Sequence, residues 1–129
     1  MLKKCLFALG FALAGLLPAQ AEVSIDNCIA EINPKEIVFQ IGLHNMDDVP
    51  LFGPILVRLE AHAAPGQAWR EVKTWDLEAM RAGKTWSEEY ISEDEAAQAT
   101  ASKTYEARLT VECTGITKRE KLFRMIQVK

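Results

Sequence analysis

Residues Thr104–Cys113, TYEARLTVEC, alternate without a break. Tyr105, Ala107, Leu109, Val111 and Cys113 fall on one side of an extended chain, and Thr104, Glu106, Arg108, Thr110 and Glu112 on the other. Side chains of a strand change face with every residue, so this stretch predicts a strand with one buried face and one wet face.

The rest of the chain repeats that logic in shorter pieces. Glu22–Asn33 carries apolar Val23, Ile25, Cys28, Ala30 and Ile32 with one phase slip at Asp26-Asn27, which predicts a bulged strand. Asn33-Pro34-Lys35 is a turn signal, and Glu36–His44 a second strand with Ile37, Phe39, Ile41 and Leu43 on one face. Pro50 and Gly53-Pro54 argue against a regular strand before Ile55. Ile55–Ala63 and Trp69–Leu77, either side of the turn Ala64-Pro65-Gly66-Gln67, predict a hairpin. Leu77–Gly83 is too short for a stable helix and reads as a turn, and Thr85–Ile91 is a fifth strand. Ser92-Glu93-Asp94-Glu95 matches a capping box, so one or two helical turns are expected over Ala96–Ala101. Thr104–Cys113 is then the sixth strand, Thr114-Gly115 a turn, and Thr117–Val128 the seventh and last strand. Seven short strands with almost no helix predict an all-β fold, a seven-stranded antiparallel β-sandwich.

The first 21 residues stand apart from this pattern. Lys3 and Lys4 precede an apolar run of 12 residues, Leu6–Leu17, and Pro18 and Ala19-Gln20-Ala21 follow it. That is the layout of a secretory signal peptide, with cleavage expected after Ala21. The run is shorter than the roughly 20 residues a spanning helix needs. Glu22 rather than Cys follows the cleavage point, so a lipoprotein is not expected, and Cys5 would leave with the signal. Removing 21 of the 129 residues leaves 108, takes two of the 15 basic residues and none of the 18 acidic ones, and moves the formal net charge from −3 to −5. The expected mature protein, residues 22–129, is one acidic domain without a membrane span, periplasmic or secreted. Its charge speaks against nucleic-acid binding, which relies on Lys and Arg. Cys28 and Cys113 remain, 85 positions apart, and in an oxidising compartment they are expected to form a disulfide.

The order of elements resembles immunoglobulin-like domains of the fibronectin type III and CARDB kind. The resemblance covers about Val23–Val128 and rests on pattern, above all on Leu77–Gly83 before a polar strand and on Tyr105 opening the alternating penultimate strand. Tyr105 falls where such sandwiches often carry a tyrosine that bonds back to the preceding corner. The chain departs from the antibody type, because no Trp follows one strand after a first Cys and Cys28 lies on the first strand. The resemblance implies a fold that hosts unrelated functions.

No catalytic signature accompanies the fold. Ser24, Ser87, Ser92 and Ser102 lie in no nucleophile elbow, and there is no HExxH, phosphate-cradling glycine loop or dinucleotide fingerprint. The chain is therefore expected not to be an enzyme and to need no cofactor. His44, Met46, Asp47 and Asp48 lie within five positions and are residue types used for copper and calcium, without a recognised spacing. The second histidine, His62, ends the next strand, about 25 Å away at the opposite pole of the sandwich. A polar loop with one exposed histidine is the plainer reading.

Trp86, Glu88 and Tyr90 share one face of the fifth strand. Exposed together they would form a platform for a sugar; otherwise the rings fill the core. The last strand is the most basic stretch, with Lys118, Arg119, Lys121, Arg124 and Lys129 against Glu120. If it is an edge, it offers unpaired backbone groups to a partner strand. The expected function is an exported, non-enzymatic module that binds another protein or serves in a cell-envelope assembly. The alternative is ligand binding, of carbohydrate through Trp86 and Tyr90 or of metal through the His44/Met46 loop.

Overall fold

A computed structural model of the protein describes residues 23–113 and 118–128. The expected signal peptide at 1–21, the turn at Thr114-Gly115 and the start of the last strand at Thr117 lie outside the described residues. Eight strands and one helix follow in order: β1 (Val23–Ile32), β2 (Ile37–Asn45), β3 (Leu51–His62), β4 (Arg70–Met80), β5 (Thr85–Ser92), α1 (Glu93–Ala101), β6 (Glu106–Glu112), β7 (Arg119–Leu122) and β8 (Arg124–Gln127). They build two four-stranded sheets, β5-β2-β1-β8 and β4-β3-β6-β7. Neighbouring strands are antiparallel except β1 and β8, which run parallel.

Alternation decides the packing. Ile37, Phe39, Ile41 and Leu43 of β2 face Ile55, Val57, Leu59 and Ala61 of β3 and Ala107, Leu109 and Val111 of β6, and all are buried. Each large aliphatic side chain withdrawn from water contributes about 1.5–3 kcal/mol, which makes the two inner faces the main stabilising element. The outer face of the β3–β6–β7 sheet is a ladder of opposite charges. Arg58 meets Glu112, Arg108 meets Glu60 at 2.8 Å, and Lys118 meets Glu120 at 3.4 Å.

The bulge expected at Asp26-Asn27 is present, as a register shift between Ile25 and Asn27 against β2. Three other expectations change. Leu77–Gly83, expected as a turn, is strand as far as Met80, because β4 runs on to pair with the start of β3. β3 begins at Leu51 and not at Ile55: Leu51 is buried and pairs with Met80, and a register shift between Phe52 and Ile55 accommodates Gly53-Pro54. A side chain at Gly53 would run its Cβ into the Leu77 carbonyl, so the close approach of β3 to β4 there requires glycine. The expected last strand is broken at Phe123. Its first part, β7, pairs with β6 in one sheet, and its second part, β8, pairs with β1 in the other.

The expected Cys28–Cys113 disulfide is not formed. The Cys28 thiol is buried and points to the Lys121 carbonyl at 3.7 Å, whereas the Cys113 thiol points to the Phe52 carbonyl at 3.4 Å. Lys121 pairs with Leu109, four positions before Cys113 on the same extended run. That puts about 13 Å of strand between the two thiols' surroundings, beyond the reach of a disulfide. Burial pushes the Cys28 thiol up to about 12, with Lys121 opposing, and burial also raises Cys113.

Candidate functional site

The break at Phe123 opens the sandwich. Phe123 is buried, packs edge-to-face on Phe39 at 5.1 Å, and donates its backbone N–H to the Ala107 carbonyl at 2.8 Å. From Arg124 onward the chain belongs to the other sheet. β7 therefore accompanies β6 only from Arg108 to Val111, and beyond the Phe123–Ala107 bond the Thr104–Glu106 side of the penultimate strand has no β7 partner. The result is a notch of about 380 Å³. Tyr105, Ala107, Phe123 and Met125 supply apolar wall, Leu122 lines it while 54% exposed, and Lys103 and Glu106 supply charge. It opens beside two sheet edges, because β8 ends its sheet and β7 ends the other. A last strand read from sequence as possible edge material is thus an edge twice over.

The notch is held from beneath by a buried carboxylate. Ser92 caps α1 by accepting from the Glu95 N–H at 3.0 Å, as the capping-box pattern expects. The Glu95 side chain does not return to Ser92. It is 4% exposed, takes two bonds from the Arg70 guanidinium at 2.8 and 2.9 Å, and accepts from the Tyr105 hydroxyl at 2.7 Å. Tyr105 does bond back to the preceding connection, through this carboxylate. Burial and the Glu95 contact raise the Tyr105 phenol, and the same carboxylate raises Arg70. Sequence reading missed Arg70 because it lies 25 positions from Glu95 on another element, with no local pattern to link them.

The opposite pole, where β1 and β3 begin and β2 and β4 end, carries the Met46–Pro50 loop. Asn45 is fully buried and organises it. Its Nδ2 donates to the carbonyls of Val49, Met80 and Arg81 at 3.1–3.2 Å, and its Oδ1 accepts from the Asp47 N–H at 3.0 Å. Its backbone joins the β4–β5 turn, accepting from Gly83 at 3.1 Å and donating to Lys84 at 2.9 Å. Gly83 has φ +68°, a conformation that favours glycine. Nothing in the sequence distinguished Asn45 from an ordinary turn asparagine.

The structure separates the other candidates. His44 faces the Thr85 hydroxyl at 3.2 Å, while Met46 and Asp48 are exposed. His62 is buried at the far pole, between the Gln67 carbonyl at 3.0 Å and Glu106 at 2.8 Å, and stacks on Trp69 at 3.8 Å. Among the described residues no three His, Cys, Asp or Glu side chains converge into a metal-holding group. Trp86 and Tyr90 are half-buried against the core, opposite Leu43 and Phe39. Trp75 wedges between them edge-to-face, at 68° to Trp86 and 87° to Tyr90, so the rings form a rim cluster and not a flat platform. Glu88, on the same face, is exposed. The basic residues of the last strand are split: Arg119 and Lys121 lie on β7 and Arg124 on β8, in different sheets, and the Lys121 ammonium turns to the Ile25 carbonyl at 3.4 Å.

No protein-family model matches the chain, and no curated protein sequence does. Among solved structures it is similar to part of a β-glucosidase from Erythrobacter marinus, with TM-score 0.48 and 10% identity over 82% of this chain and 16% of that one. A cycloisomaltooligosaccharide glucanotransferase from Paenibacillus sp. matches with TM-score 0.47 and 11% identity over 82% of this chain and 14% of that one. The sporulation control protein Spo0M from Bacillus subtilis matches with TM-score 0.42 and 4% identity over 85% of this chain and 49% of that one. The chain spans less than half the length of each of these proteins. These likenesses carry no argument about fold or activity.

Proposed function

We propose that the protein is an exported, non-enzymatic interaction module whose binding site is the notch between the Thr104–Glu106 edge and the last strand. On this reading the leader is removed after Ala21, and the mature sandwich, of the fibronectin type III or CARDB kind, works in the periplasm or outside the cell. The observation that carries the reading is the break at Phe123, which leaves an apolar slot of about 380 Å³ beside open sheet edges. An extended segment laid there gains backbone hydrogen bonds from an edge, and its alternate side chains meet Leu122 and Met125. Such a site uses shape and backbone polarity and calls for no nucleophile, metal or cofactor.

Pull-down from envelope extracts with the native chain and with Leu122→Glu tests it. The native chain is expected to retain a protein that the variant loses. A partner held equally by both, or none held by either, contradicts the reading.

A further inference from the structure

His62 is a buried titratable group, and it touches two segments that frame the notch. It ends β3, is 6% exposed, and lies under the Trp69 ring. Its Nδ1 is 3.0 Å from the Gln67 carbonyl, and its Nε2 is 2.8 Å from the Glu106 carboxylate. Gln67 closes the turn at Ala64–Gln67, donating its N–H to the Ala64 carbonyl at 3.1 Å, and Pro65 of that turn lines the notch. Glu106 lines it from β6.

A carbonyl and a carboxylate can only accept hydrogen bonds. A neutral imidazole has one N–H and serves one of them, setting a lone pair against the other. The imidazolium donates to both, so this arrangement fits the protonated ring. The other charged groups nearby have partners of their own or stand at the surface. Arg108, 4.4 Å from the Trp69 ring centre, meets Glu60 at 2.8 Å and Glu120 at 3.7 Å. Arg70, next to Trp69, holds Glu95. Glu71 pairs opposite Glu60 on β4, and Lys103 is exposed where it lines the notch.

We propose that protonation of His62 gates the notch: the imidazolium holds the Pro65 turn and the Glu106 side chain together, and loss of its proton frees the turn. The inference rests on the reading of the notch as the binding site and adds its regulation. The turn is the part released because a charged acceptor holds the remaining N–H more strongly than a neutral one, so the neutral ring stays on Glu106. Histidine ordinarily changes charge between about pH 5 and pH 8, so the notch is shaped at the acidic end of that range and slack at the other.

Nitrogen-15 NMR on the labelled protein at about pH 5.5 and about pH 8 tests this. Both ring nitrogens of His62 are expected to carry protons at the lower pH, and Nε2 alone at the higher. Backbone order parameters at Gly66 and Gln67 should fall from about 0.85 toward about 0.6, while those of Ile37–Leu43 stay high. In Glu106→Gln the side-chain amide can donate to a neutral ring, which frees Nδ1–H for Gln67, so the turn should stay ordered at both pH values. In the pull-down, the native chain should retain several-fold more partner at the lower pH. Order parameters that do not change with pH, a fall that is equal in Glu106→Gln, or equal retention at both pH values overturns the gate. If retention is equal at both pH values while Leu122→Glu still loses the partner, the gate falls and the reading of the notch stands. If the turn loosens as expected but Leu122→Glu retains whatever the native chain retains, the reading of the notch falls and the His62 switch stands.

Discussion

Glu95 ties three elements together with a single carboxylate: the α1 backbone that carries it, Arg70 on β4 and Tyr105 before β6. A hydrogen bond to a charged group contributes about 1.5–3 kcal/mol, so Tyr105→Phe is expected to lower unfolding free energy by that amount in urea titrations. Glu95→Ala should cost more, because it strips both partners at once. Cys28 gives a pH signature. Its buried thiol keeps its proton up to about 12, against an ordinary value of 9.0, so the folded state binds a proton that the unfolded state loses in between. The stability this provides is intact below about pH 9 and is lost as pH rises toward about 12. Urea midpoints should therefore fall from about pH 8 to about pH 10.5, with a shallower fall in Cys28→Ala. A thiol count makes the complementary check. Cys28 and Cys113 should both react after unfolding, and Cys28 should be protected before it; a chain in which neither reacts after unfolding would restore the disulfide.

The last strand decides the architecture at the level of elements. Phe123 fills the core against Phe39, while Leu122 beside it points to solvent. Phe123→Ala is expected to cost about 3–5 kcal/mol, and Leu122→Ala about 0.5 kcal/mol or less. Denaturation of the two variants side by side checks this. Equal costs would mean that the strand does not turn at Phe123. The strands that alternate cleanly were legible in the sequence, because a period of two follows from backbone geometry alone: β2, β6 and the bulge at Asp26-Asn27 lie where they are expected. The break at Phe123 was not legible. Leu122 to Val128 is apolar on both faces, and a run of that kind does not say which of two sheets each half joins. The same limit explains β3, where Pro50 and Gly53-Pro54 argue against a regular strand before Ile55 although a bulge admits one. It also explains the cysteines, whose compartment was inferred but whose separation along the fold was not. Of the notch, Tyr105 and the basic strand were singled out; Leu122, Met125 and Lys103 come together only through the switch between sheets.

At the scale of the whole molecule, the four sheet edges are unequal. β7 and β8 have four residues each, too short for long edge pairing. β5 carries Glu88-Glu89 at its centre, which opposes pairing with a copy of itself, and β4 is 11 residues long but interrupted by register shifts against β3. What remains unguarded is the slot between the short edges, and the proposed function places binding there instead of on the Trp75–Trp86–Tyr90 rim.

A photoreactive amino acid placed at Leu122 or at Glu88, irradiated in living cells, compares these two places directly. The account predicts a protein adduct from Leu122 and none from Glu88; an adduct from Glu88 with none from Leu122 would contradict it.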